Sequence, residues 1–383
     1  MKYNFIIWLT CLGLFFSCST KQESELITID VNKSYPMKKL KISDLADVSY
    51  VKLSTERDFL VKSRVLATSD NYIVTKGGSQ NILVFDKQGN PVYSFSHEGN
   101  GPHEYLNAST VMIDEKESLL YIHDIQLQKM FAYRLDGEFV YEYDTDNFRF
   151  VYQFNENHFI IYHQITNRIN ADMTPYFSIV NKKTGQLVKK IEVPQAINKI
   201  VNLEVTMGEG EQKMVYSAMH LPLIRTLDDD FLLNELSSDT IYRIHQDLSM
   251  EPWIVRKPGI EGMSRQVSLE AGVETSLYQF FTLTSVHPDN MDNMFEESPL
   301  VYDKLEDKVY RYEVEMEEHE DFHPNFSAHI VNCDVRSGFG LSRFQVFDLQ
   351  EALENGFLHG KLQEITDELD DEDNPLVILY HFK

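Results

Sequence analysis

The sequence predicts an all-β chain folded as one six-bladed β-propeller behind a lipid anchor, and three observations predict it. Turn glycines Gly89, Gly137 and Gly185 recur every 48 residues inside matching strand runs. A strand-like segment, Val48 to Leu53, precedes the first full repeat and has no local partner. A short apolar leader ends at a cysteine, Cys18.

The leader comes first in the chain. Lys2 precedes an apolar run from Phe5 to Phe16, too short to span a bilayer at about 20 residues and built like a signal peptide. It ends Leu14-Phe15-Phe16-Ser17-Cys18 and continues into polar Ser19 to Gln22. This pattern resembles a lipobox with cleavage before Cys18. It predicts residues 1–17 as a lipoprotein signal peptide, with the bilayer as a partner through acylated Cys18. Residues 18–36 are then expected as the lipidated N-terminus and a flexible tether, and residues 37–383 as the propeller. Lys21 to Glu25 resembles the acidic export tags of surface-displayed lipoproteins. Of three cysteines, Cys11 leaves with the leader, so Cys18 and Cys333 form no disulfide framework.

The repeats follow. Tyr72 to Thr75, Ile82 to Asn90 and Val92 to Phe95 match Leu120 to His123, Met130 to Glu138 and Val140 to Tyr143. A third copy runs from Tyr176 to Gln186 and on to Ile191. Each unit strings short Val, Ile, Tyr and Phe runs between turns whose glycine takes positive φ without steric cost. About four strands per 40 to 50 residues is the period of a propeller blade. Thr240 to Val255 and Leu300 to Tyr312 read as the outer hairpins of a fourth and a fifth blade, and Phe326 to Lys383 as a sixth. Asn198 to Leu221 does not repeat. An open ring would leave bare edges, so Val48 to Leu53 is expected to pair with Leu376 to Tyr380. Seven blades is the alternative count.

A formal charge of −25 repels phosphates and argues against nucleic acid as a partner. No G-x-S-x-G elbow and no phosphate-binding loop is present, so no catalytic residue is assigned. His319-Glu320-Asp321-Phe322-His323 matches H-E-x-x-H. That zinc pattern needs a helix, yet a strand-like run precedes it and Pro324 follows. His319 and His323 remain a looser alternative for a divalent metal ion, and otherwise no cofactor is expected. Gly99, Gly101, Pro102, His103 and Glu104 form a loop that could bring backbone N–H groups to an anion, or serve as a crossover between blades. The acidic run Glu364 to Asp373 lacks calcium-loop order and is expected beside a surface helix near Leu349 to Gly356.

The stretch Ile42 to Thr55, the Gly99-Asn100-Gly101-Pro102-His103-Glu104-Tyr105 loop and the close Asp373-Asn374-Pro375 to Lys383 together resemble a known family. It comprises six-bladed β-propeller lipoproteins of anaerobic Gram-negative gut-type bacteria, propellers of the NHL and TolB-like kind, mostly of unassigned function. His103 departs from the glycine usual there. The resemblance implies an outer-membrane lipoprotein of the cell envelope, facing periplasm or cell surface. Function is then expected as non-catalytic, monomeric binding of a glycan, a peptide or an envelope protein. The alternative is a lyase or hydrolase with a His and carboxylate site, possibly metal-dependent, at the central funnel.

Overall fold

The computed structural model describes residues 26–383 apart from 57, 147, 164–175, 195–203, 208–213, 218–219, 264–266, 291 and 327–337. Among these, six sheets of three to five strands, antiparallel except for one added edge strand in each of two, form the blades, and a two-stranded hairpin, Glu204–Met207 with Met214–Ser217, lies in the non-repeating stretch.

Blades 1 to 3 are four-stranded meanders spanning Ala67–Phe95, Thr110–Asp144 and Phe150–Ile191. Blade 4 is built on Leu223–Lys257, blade 5 on Val267–Glu315, and blade 6 on Phe339–Phe344 and Leu376–Phe382. The three spaced glycines sit in the last turn of blades 1 to 3 at φ +86°, +93° and +68°. There L side chains are disfavoured by about 1–2 kcal/mol. A Cβ on Gly89 would also lie 2.0 Å from the carbonyl oxygen of Lys52.

The segment from 27 to 36, expected as tether, belongs instead to the propeller. Strand β1 (Ile27–Asp30) joins the outer edge of blade 4 in parallel, Ile27 opposite Ile254, and buries Ile27 and Ile29. Its alternation of apolar and polar residues fits a half-buried edge, and its brevity hid it. Strand β2 (Met37–Lys41) joins blade 5 in parallel, and β3 (Ala46–Val51) closes blade 6 antiparallel to Leu376–Phe382. The N-terminal segment thus straps three outer edges in turn. Tyr380 pairs with Val48, and Val377 with Val51, as the sequence predicts for closure.

The core is distributed. Six buried apolar clusters each lie between two neighbouring blades, the last joining Val377 and Leu379 of blade 6 to Val65, Ile73 and Phe85 of blade 1. A helix, Val346–Glu354, forms where one was expected, and a second, Gly360–Thr366, covers blade 6 with Leu362 buried.

Candidate functional site

The inner strands of blades 1 to 4, Ala67–Thr68, Thr110–Asp114, Phe150–Gln153 and Leu223–Arg225, all end at one face. Their following turns converge around a cavity of about 520 Å³, lined by Asp70, Glu115, Lys116, Asn155, Glu156, Arg225, Asp228 and Asp229 at its rim.

Its floor is an ion pair taken out of water. Lys182 donates to Asp114 Oδ2 at 2.8 Å and to Gln153 Oε1 at 2.7 Å, its side chain 3% exposed. Gln153 in turn donates to the carbonyl of Ile113 at 2.6 Å, so Lys182 and Gln153 of blade 3 both tie the base to blade 2. Arg225 donates to the carbonyl of Gln153 and stacks over Phe231 at 4.7 Å. Around the rim, Asn71 donates its backbone N–H to Glu115 at 3.2 Å, and Lys116 pairs with Glu156. Partial burial pushes Glu115 up, but hydrogen bonds from Ser69 and Asn71 outweigh it and its pKa falls below the usual carboxylate range. The rim is therefore anionic at neutral pH, over a cationic floor already neutralised by Asp114.

Outside this cavity, His220 enters just before the inner strand of blade 4. Its Nδ1 lies 2.9 Å from Glu270 Oε2 on the inner strand of blade 5, and its ring meets Tyr162 of blade 3 edge-on at 6.3 Å. A residue touching blades 3 and 5 from blade 4 lies close to the axis. Tyr162 donates to Glu235 Oε2 at 2.9 Å.

The residues singled out from sequence lie elsewhere. The Gly99 to Glu104 loop joins the outer strand of blade 1 to the inner strand of blade 2. Its anion is its own: Gly101 N–H donates to Glu104 Oε2 at 2.7 Å, and a Cβ at Gly99 would meet that oxygen at 2.0 Å. His103, at φ +62°, stacks on Phe139 at 3.8 Å and pairs with Glu142 at 3.1 Å, with Pro102 beside it. His97 stacks on Tyr133 at 4.9 Å. His123 is fully buried between blades 2 and 3, 3.3 Å from Thr145.

No helix forms around His319. It packs between Phe322 and Phe344, while His323 donates from Nδ1 to the carbonyl of Val314 at 3.1 Å. Among the described residues no group of three His, Cys, Asp or Glu side chains is placed to hold a metal ion. Cys18 and Cys333 lie outside the described residues. Sequence reasoning missed both the cavity and the His220–Glu270 pair. Comparing the turns after successive inner strands, Asp114-Glu115-Lys116, Asn155-Glu156 and Asp228-Asp229, would have exposed the shared polar rim.

Fold and cavity define the class: a six-bladed β-propeller with a polar cavity at one face of blades 1 to 4. The chain belongs to the family described as Domain of unknown function (DUF4934), matched over residues 26–381. No curated protein matches it. Among solved structures, a Bacteroides fragilis NCTC 9343 protein assigned as exported is 17% identical, with 94% of this chain and 100% of that chain covered and a TM-score of 0.62. A DUF4221-family member from Bacteroides vulgatus ATCC 8482 is 9% identical, covering 88% and 97% of the two chains, at a TM-score of 0.48. A streptogramin B lyase is 9% identical, covering 71% and 92%, at 0.33. The first likeness concerns the fold alone, and the other two carry no weight below.

Proposed function

We propose that the chain is an exported lipoprotein of the cell envelope, acylated at Cys18 and held at the outer membrane, that binds a polar ligand, a glycan above all, at the mouth of its propeller. The observation that carries this reading is the cavity itself. Four consecutive blades supply carboxylate, amide and guanidinium groups to one concave site, and a few convergent polar groups in a cleft mark a ligand pocket. Planar hydrogen-bonding side chains such as Asn155, Gln246, Asp228 and Arg225 suit sugar hydroxyls, which donate and accept together. The acidic rim disfavours nucleic acid.

The leader and Cys18 support anchoring. With β1 beginning at Ile27, only eight residues lie between it and Cys18, so the outer edge of blade 4 would stay within about 30 Å of the bilayer at full extension. The test has two arms. Cys18→Ser should abolish fatty-acid labelling and release the protein from the membrane fraction. The soluble body should capture members of a glycan panel, and Asp228→Ala/Asp229→Asn, which keeps at 229 a residue suited to its positive φ, should lose them without a change in melting temperature. Labelling that survives at Cys18→Ser, or capture that ignores the rim, sinks the corresponding half.

The buried His220–Glu270 pair favours one second reading, a propeller-hosted lyase or hydrolase. An imidazole oriented by a carboxylate is the arrangement of a general base. Turnover of a chromogenic glycoside panel, lost in His220→Asn, would support it; turnover that survives would remove it.

A further inference from the structure

The mouth cavity is charged as well as concave. In each of blades 1 to 4 the turn between the first and second strands brings at least one carboxylate into the lining: Asp70, Glu115, Glu156, and the neighbours Asp228 and Asp229. Asp114 on the floor makes six, against three cations, Lys116, Lys182 and Arg225, so the lining carries a formal charge of −3 at neutral pH. The carboxylates come from four equivalent turns and surround the opening rather than crowding one side of it.

The three cations are not placed to cancel that ring. Lys182 is buried against Asp114 at the base, and the two charges offset each other there. Lys116 meets Glu156 at the rim with side chains 76% and 68% exposed, and an ion pair so exposed holds weakly, so Glu156 can exchange Lys116 for a ligand cation. Arg225 lies below the rim, 15% exposed, turned to the carbonyl of Gln153 and the face of Phe231. Asp229 stands 3.5 Å from it with its own side chain 60% exposed, and Asp228 beside it is exposed too. A cleft lined mainly by one sign of charge focuses the potential and concentrates the opposite sign. A bare metal ion is not what the ring suits, because a hard cation needs several oxygens at close range, and among the described residues no three carboxylate, imidazole or thiol groups stand together to hold one. The charges are spread around about 520 Å³, a volume in the range of small-molecule sites. Hydroxyl and amide groups of Thr68, Ser69, Asn155 and Gln246 stand among them and can donate to or accept from a sugar's hydroxyls.

We infer that the ligand of the mouth cavity is a glycan bearing a free, protonated amine, with its ammonium group inside the carboxylate ring and its hydroxyls on the amides and hydroxyls between. This rests on the reading of the protein as a glycan binder and names the class of glycan. Acetylating the amine removes the charge and keeps the sugar ring, so the inference separates two ligands that differ in little else.

The test is calorimetry on the full-length protein in mild detergent, at a slightly acidic pH that keeps sugar amines charged. Its probes are short oligomers of glucosamine, N-acetylglucosamine and glucose, matched in linkage and length. The glucosamine oligomer should bind about tenfold or more tightly than the other two, the order of one charge contact near the dielectric of water, and added salt should shrink that ratio. Asp228→Asn/Glu156→Gln keeps shape and removes two charges of the ring, so it should lower the ratio several-fold at an unchanged melting temperature. Asp371→Asn/Glu372→Gln removes two exposed charges outside the lining and should leave the ratio as it is. The inference is overturned if the acetylated or neutral oligomer binds as tightly as the amine, if the preference survives the rim variant, or if both variants reduce it equally, which would make it attraction to the acidic surface at large. A lysine peptide of equal charge that binds as tightly as the glucosamine oligomer would overturn it too, in favour of a basic peptide. Equal binding of all three oligomers, lost in the rim variant, would sink the amine and spare the broader glycan reading. If none of the three binds, the inference falls, and if the wider glycan panel also yields no capture, that reading falls with it.

Discussion

His123 makes the stability of this propeller depend on pH in a way that can be calculated. It is wholly inaccessible to solvent between blades 2 and 3, with Phe148 and Thr145 as neighbours. Burial pushes its pKa down to about 4, against a smaller opposing pull from Asp124. The unfolded chain takes up this proton below pH of about 6.5, whereas the native state refuses it until about pH 4. The native pKa is depressed, so stability is present in full above about pH 6.5, is lost as pH falls, and levels off below about pH 4. At roughly 1.4 kcal/mol per pH unit, the whole gap is worth about 3 kcal/mol, of which about 2 kcal/mol has gone by pH 5. Urea unfolding of the soluble body at pH 7, 6, 5 and 4.5 measures it. Carboxylates also titrate there, so the comparison is with His123→Gln, whose own cost does not vary with pH. The wild type should lose about 2 kcal/mol more than His123→Gln between pH 7 and pH 5. Parallel pH profiles would refute the reasoning, because they would mean that His123 is protonated in place or is exposed.

Three further outcomes follow from the packing. Lys182→Met should destabilise by about 3–5 kcal/mol because it leaves Asp114 charged and buried, and adding Asp114→Asn should recover much of the loss in the same denaturant titration. Gly89→Ala should cost about 2 kcal/mol or more, combining positive φ with a collision against the Lys52 carbonyl; a midpoint unchanged from wild type would show that the turn can shift. Ile29→Ala should cost about 2–4 kcal/mol, since this fully buried side chain pins the N-terminal strap to blade 4. Were the segment a loose tether, its thermal unfolding would match the wild type.

Much of the fold was legible because a repeated unit announces itself. Gly89, Gly137 and Gly185 mark equivalent turns, and Val92, Val140 and Val188 sit at the same distance beyond each on outer strands. Closure was legible because Val48 to Leu53 had strand composition and no neighbour. β1 and β2 were not, since each is four or five residues long and pairs in parallel with a strand more than 200 residues away. Such pairing leaves no local signature beyond alternation. The Gly99 to Glu104 loop attracted notice through its motif, yet its glycines serve a turn closed by Glu104. The cavity and the His220–Glu270 pair drew none, because their residues come from several separate turns and strands. His220, Glu270 and Tyr162 acquire meaning only when three blades bring them together.

The claim that the mouth cavity is where this propeller binds is tested most directly by methyl NMR. Ile113 lines the cavity, whereas Ile29 is the buried residue of the strap on blade 4 and Ile378 lies in blade 6. A glycan selected from the panel should move the Ile113 methyl resonance in proportion to saturation and leave Ile29 and Ile378 in place. Saturating ligand that leaves Ile113 still while moving either of the others would contradict the account.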